Sequence, residues 1–158
     1  MRIDLTPVGP RECGPCSLCC KVMAIKELAK PANVWCGHAK KGRGCDTYAT
    51  RPDSCRGFSC LWLASTIAPL ALRPDKIHGV LVSTPDGHHI VLHEDPGYPG
   101  VAHAAARDIL TKWIADGTRY YVVACGTTRR FYGNHQLLPV ATAMMNEVAE
   151  DVPPFTVP

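Results

Sequence analysis

Residues 76–95 read KIHGVLVSTPDGHHIVLHED, two β-branched apolar runs on either side of Pro85-Asp86-Gly87. Asp supplies a side-chain acceptor for the backbone of a tight turn, and Gly tolerates the positive φ that such a turn demands. The stretch therefore predicts a hairpin with strands near 76–83 and 88–94. C-terminal to it, residues 101–115 (VAHAAARDILTKWIA) set Val101, Ala105, Ile109 and Trp113 at helical spacing, and Gly117 supplies a stop. RYYVVAC at 119–125 and RRFYGNHQ at 129–136 predict two further strands, and LPVATAMMNEVAED at 138–151 a last helix. The fold class expected is α+β, a small antiparallel sheet with packed helices.

N-terminal to the hairpin the character of the chain changes. Of nine cysteines, Cys13, Cys16, Cys19, Cys20, Cys36, Cys45, Cys55 and Cys60 fall within the first 60 residues, and Cys125 stands alone beyond them. KVMAIKEL at 21–28 fits a short strand or a helical turn ending before Pro31. PANVWCGHAKKGRGC at 31–45 is loop-rich, and RPDSCRGFSCLWLASTIAPLAL at 51–72 reads as a turn opening into an apolar helix broken near Pro69. With so few large apolar residues this half lacks a core of its own, and metal ligation is the expected substitute. One domain is expected over 1–158, with a cysteine-cluster lobe at 13–62, an α+β region at 63–150 and a Pro-containing tail at 151–158.

No apolar run reaches the ~20 residues that cross a bilayer, and the opening residues lack the apolar stretch of a signal peptide. A cytoplasmic location is expected, with no membrane partner. In that reducing compartment clustered cysteines bind metal more often than they form disulfides. Residues 1–62 carry ten Lys/Arg against five Asp/Glu, while residues 63–158 carry seven against nine. Two four-thiolate zinc sites would together be about four charges negative, so Lys21, Lys40, Lys41, Arg43, Arg51 and Arg56 read as offsetting charge. The basic residues are not interleaved with aromatics, which argues against nucleic acid as a partner.

Cys13, Cys16 and Cys19, two residues apart in turn, suit a tight turn that directs three sulfurs to one centre. That centre is either tetrahedral zinc or part of an iron–sulfur cluster. Cys20 points away from Cys19 and serves a second centre or bridges two metals. His38, two residues after Cys36, is a further candidate ligand or else a loop histidine. Gly14, Gly37, Gly42, Gly44 and Gly57 read as turn residues around the ligands, with Trp35 and Phe58 as apolar cover.

The order C-x2-C-x2-CC, then Trp35-Cys36, Gly44-Cys45, Tyr48, Arg51-Pro52, Cys55-Arg56, Phe58 and Cys60, resembles the CxxCxxCC family of zinc- or iron-chelating domains, the YkgJ-like proteins. The resemblance covers residues 13–62 and implies all eight cysteines as metal ligands, with metal ions as the partners. A related arrangement occurs in flagellin lysine methylases and would imply an iron–sulfur role, but this chain is much shorter and shows no cofactor-binding half.

The preferred expectation is a metal-handling or structural zinc protein. An iron or iron–sulfur redox protein or enzyme is the alternative, and a partner-binding module shaped by a metal lobe is the third. Elsewhere, His89 and His93 in a strand lie roughly 13 Å apart, too far for one ion, so His88, His89 and His93 read as exposed hairpin histidines. Cys125 reads as a buried strand-end residue rather than a nucleophile.

Overall fold

In the computed structural model the Asp86 carboxylate accepts from the Thr84 hydroxyl (2.6 Å) and the His88 amide (3.0 Å), while Gly87 takes φ +72°. These contacts close the turn that the sequence announces. Pro85 itself lies outside the residues the structure describes, which are 11–65, 67–84, 86–148 and 155–158.

In chain order the elements are α1 (Cys19–Val22), β1 (Ala39–Lys40), β2 (Gly44–Cys45), α2 (Asp53–Gly57), α3 (Leu61–Ala64), α4 (Pro74–Ile77), β3 (Gly79–Ser83), β4 (His89–Glu94), α5 (Val101–Ala115), β5 (Tyr120–Cys125), β6 (Thr128–Gly133) and α6 (Leu138–Val148). The first hairpin strand begins later than expected. Pro74 opens a helical turn, and His78 ends it in the left-handed conformation at φ 59°. The strand then starts on Gly79, where a Cβ would stand 2.4 Å from Cβ of Ala102. The apolar helix expected over 51–72 is likewise divided into the single turns α2 and α3, with residues 58–60 extended between them.

The main sheet has four strands in the order β3-β4-β5-β6. The class is α+β, but the sheet is mixed, which corrects the antiparallel expectation: β4 and β5 pair in parallel, from His89↔Tyr120 to Glu94↔Cys125. The cause is α5. At 15 residues it is about 22 Å long, enough to carry the chain back along a six-residue strand of about 20 Å. β5 therefore starts at the same end as β4. The outer pairs are hairpins, the second closed tightly at Gly126 (φ +56°).

Alternation along the strands gives the sheet two covered faces. Leu81, Ile90, Leu92, Tyr121 and Val123 pack with Ala102, Ala106, Leu110 and Trp113 of α5 and with Leu61, Leu72 and Ile77. This stripe differs from the expected one, since Val101 is 43% exposed. Residues 101, 105, 109 and 113 spread over about 120° around a helix, whereas 102, 106, 110 and 113 stay within about 80°. On the opposite face Val91, Tyr120, Val122 and Phe131 meet Ala141 and Met145 of α6 and Phe155. Val80 of β3 meets Leu18, Val22, Cys60 and Trp62. The cysteine lobe thus docks on one end of a sheet face and α6 on the other.

The tail residue Thr156 pairs with β6, accepting from the Phe131 amide at 2.9 Å and donating to the Arg129 carbonyl at 2.7 Å. An edge that could recruit another strand is covered in this way. The last residues expected for the final helix, 149–151, and tail residues 152–154 lie outside the described residues. Among the described residues no helix is long and apolar enough to cross a membrane.

Candidate metal centre

The lobe is assembled from four short segments. The first is a turn in which the Cys16 amide donates to the Cys13 carbonyl at 2.9 Å, with Gly14 at φ +52°. It runs into α1, whose first two residues are Cys19 and Cys20. Consecutive helical side chains diverge by about 100°. Cys19 accordingly packs against the apolar group of Leu18, Val22, Cys60 and Trp62, and Cys20 leaves on another side.

The second segment is tied to the first where the Cys36 amide donates to the Cys20 carbonyl at 3.0 Å. The third is the ribbon of β1 and β2, with Cys45 opposite Ala39. It leans on the first turn so closely that a Cβ on Gly44 (φ +96°) would stand 3.1 Å from the Gly14 carbonyl oxygen. The fourth carries Cys55 within α2 and Cys60 at the N-terminus of α3, and the Ser54 amide and hydroxyl clasp it to the Glu27 carboxylate at 3.0 and 2.7 Å.

The electrostatics of the thiols divide them. Burial raises the pKa of Cys13, with the thiols of Cys16 and Cys20 adding to the effect and Arg51 opposing it. Burial pushes Cys60 up to about 11, and Cys13 and Cys16 contribute. Cys19 feels Cys20, Cys13 and Cys16. Cys55 is raised by burial and then by Cys20 and Cys36. By these influences Cys13, Cys16, Cys19 and Cys60 go together and Cys20, Cys36 and Cys55 go together, with Cys20 acting on Cys13 and Cys19 as well.

Within the Cys19–Cys20 pair the two thiols act on one another. This holds Cys19 protonated and favours the Cys20 thiolate, which the Lys30 ammonium further stabilises. The sulfur of Cys45 lies 3.4 Å from the Thr47 hydroxyl. Among the described residues no three His, Cys, Asp or Glu side chains are arranged so that they could hold a metal ion together. The chemistry of the donor set nevertheless fits a thiophilic ion: sulfur donors in excess, partly or wholly withdrawn from water, on loops linked by backbone hydrogen bonds.

Neighbouring residues keep some expectations and depart from others. His38 turns outward to Asp46, with Nδ1 3.6 Å from the carboxylate and its side chain 47% exposed. Phe58 packs against the apolar group beside Cys60, but Trp35 is exposed rather than covering the sulfurs. Of the cations read as offsetting thiolate charge, Lys21 pairs with Asp95 (2.6 Å), Lys40 with Asp46 (3.3 Å) and Arg56 with Asp53 (3.1 Å). The buried cation of the lobe is Lys30, which sequence reasoning passed over because lysine is a surface residue by default. Arg11 also went unnoticed; its guanidinium donates to the carbonyls of Trp62 (2.7 Å) and Ser65 (3.0 Å) and joins the first turn to α3.

The other candidates stand apart from the lobe's chemistry. His89 is fully buried, which corrects the exposed reading. As the cross-strand partner of Tyr120 on a covered face, it stacks on that ring at 3.9 Å. Cys125 ends β5 partly buried, and burial and the adjacent Glu94 carboxylate both raise its pKa, the opposite of what a nucleophile requires. Compared with protein-family models, curated proteins and solved structures, the chain matches none.

Proposed function

We propose that the chain is a cytoplasmic metal-binding protein of the CxxCxxCC kind, in which the eight clustered cysteines hold zinc in a structural or metal-handling role. Cys13, Cys16, Cys19 and Cys60 form one set. Cys20, Cys36 and Cys55 belong to the other, which Cys45 completes by count. The observation that carries this reading is the pairing of eight free thiols with a lobe almost without a core: between residues 13 and 60 the buried apolar side chains are Leu18, Val22, Ile25, Cys36 and Cys60. Such a segment draws its folding free energy from ligation, and zinc when bound cross-links loops that burial alone does not hold. Eight sulfurs make two closed four-ligand sites, which is the structural rather than the catalytic pattern.

A second reading is favoured by the adjacent cysteines Cys19 and Cys20 at the start of α1, since neighbouring thiolates suit a polynuclear iron–sulfur centre with redox or enzymatic use. Preparation without air, followed by native mass measurement, metal analysis and a visible spectrum, separates the two. Two zinc ions and a colourless protein are expected. Stoichiometric iron and sulfide in a brown protein would establish the second reading, and four disulfides without metal would overturn both.

A further inference from the structure

Lys30 is 8% exposed. Its Nζ donates to the carbonyl oxygens of Lys21 (3.0 Å), Pro31 (2.9 Å) and Val34 (2.6 Å). An ammonium has three donors, so its hydrogen-bonding capacity is filled. Its charge is not: none of the ion pairs among the described residues includes Lys30. A buried cation without a counter-anion is strongly unfavourable, and neutral carbonyls relieve that only in part.

The anchoring points indicate where the missing charge lies. Lys21 directly follows Cys20, Val34 precedes Cys36 by two residues, and the Cys36 amide is bonded to the Cys20 carbonyl. Nζ is thereby fastened between the two segments that carry those thiols. The groups whose negative charge would act on it are the sulfurs of Cys36, Cys20, Cys19 and Cys55.

We infer that Lys30 is the built-in counter-ion of the sulfur centre formed by Cys20, Cys36 and Cys55, setting one fixed positive charge against the excess negative charge of a metal–thiolate site. The inference rests on the metal-binding reading and adds to it that the two centres are electrostatically unequal. A four-thiolate site with a divalent ion is about two charges negative; Lys30 compensates one of them at the second set and reaches the first through Cys19, and the first set has no buried cation of its own among the described residues. Lys30 is a positioning residue that acts on the ligands, as groups just outside a coordination sphere do.

The test uses the full chain with Co2+ as the probe, comparing wild type, Lys30→Met and Lys30→Gln. Gln keeps amide donors for the carbonyls but carries no charge. Wild type is expected to take two ions. In both variants one ion is expected to bind at least tenfold more weakly, with its sulfur-to-cobalt band moved to longer wavelength because the thiolates lose a stabilising charge, while the other ion is unchanged. Unaltered affinity and spectrum in both variants would overturn the inference. So would a wild-type-like Lys30→Gln beside a weakened Lys30→Met, which would make Lys30 only a clasp for carbonyls. Equal weakening of both ions would mean collapse of the lobe and would also overturn it. A wild type that takes no cobalt would instead overturn the metal-binding reading on which the inference stands.

Discussion

The Cys36 amide donates to the Cys20 carbonyl at 3.0 Å, a bond across sixteen positions that joins the segments carrying these two thiols. Without it, spacing alone would leave Cys20 grouped with Cys13, Cys16 and Cys19. With it, Cys20 and Cys36 lie on joined segments and both act electrostatically on Lys30 and on Cys55, and Cys60 joins the opening turn from the far end of the lobe through the apolar group at Leu18 and Val22.

Substitutions should therefore sort by set rather than by position in sequence. Cys16→Ser and Cys60→Ser, 44 positions apart, are each expected to remove one bound ion, and the pair together no more than that same ion. Cys16→Ser combined with Cys55→Ser is expected to remove both. Ion counts by native mass measurement check this. Loss of both ions from Cys16→Ser with Cys60→Ser, while either alone loses one, would refute the division.

Gly79 is the point where β3 passes under α5. A Cβ there would meet Ala102 Cβ at 2.4 Å and Leu92 Cδ1 at 3.1 Å, with neither residue exposed. Gly79→Ala should cost about 2–3 kcal/mol by overpacking. Ala102→Gly alone should cost about 1 kcal/mol through helix propensity, and the double variant should be more stable than the sum of the two losses. Urea unfolding of the three variants measures this, and strict additivity would mean that the contact is not the source.

The hairpin at 79–94 was legible because its signal is local: alternation around Asp86-Gly87 needs no distant residue. The parallel pairing of β4 with β5 was not, since it depends on α5 laying its Ala102–Ala106–Leu110–Trp113 stripe across the sheet, and strand composition does not distinguish the direction of the next strand. His89 was misread for a related reason: a histidine near a turn looks exposed unless the helix covering the far sheet face is known to be there. In the lobe the cysteine spacing marked a candidate site directly. Lys30 carried no signal, because what makes it unusual is burial, and the carbonyls that bury it come from Lys21, Pro31 and Val34.

Buried and half-buried histidines make the sheet sensitive to mild acid. Burial pushes His93 down to about 4, with Arg129 adding to the effect, and burial also lowers His89 and His103. Because these folded-state values lie below the ordinary 6.5, the unfolded chain takes up protons first. Stability is then full above about pH 6.5 and falls as the pH drops from there toward the folded value near 4. Asp75, Asp86 and Asp95, held below the usual 3.8, act in the same direction only at lower pH. For His93 the loss by pH 4.5 is on the order of 2 kcal/mol. His93→Gln should flatten the decline of the urea midpoint between pH 7 and 4.5; an unchanged slope would remove His93 from this account.

Chelation should separate the two halves of the molecule. The four strands are paired along their lengths, and their faces bury Leu81, Ile90, Leu92, Val122 and Phe131, so their amides owe nothing to ligation. The lobe rests on the sheet through Val80 and the Lys21–Asp95 pair, and its internal ties are a limited set of hydrogen bonds: those at Cys16 and Cys36, the short β1–β2 ribbon, the Glu27–Ser54 clasp and the three carbonyls on Lys30. A net backbone hydrogen bond contributes about 1 kcal/mol, whereas ordering each residue of a loop costs about 1–2 kcal/mol. Some 48 residues tied in this way cannot stay ordered on those bonds alone. Removal of metal should therefore raise amide exchange across residues 13–60 by orders of magnitude while β3 to β6 keep their protection. Exchange that remains slow between residues 13 and 60 in metal-free protein would show that the lobe holds itself together by other means, and the structural role assigned to ligation would fail.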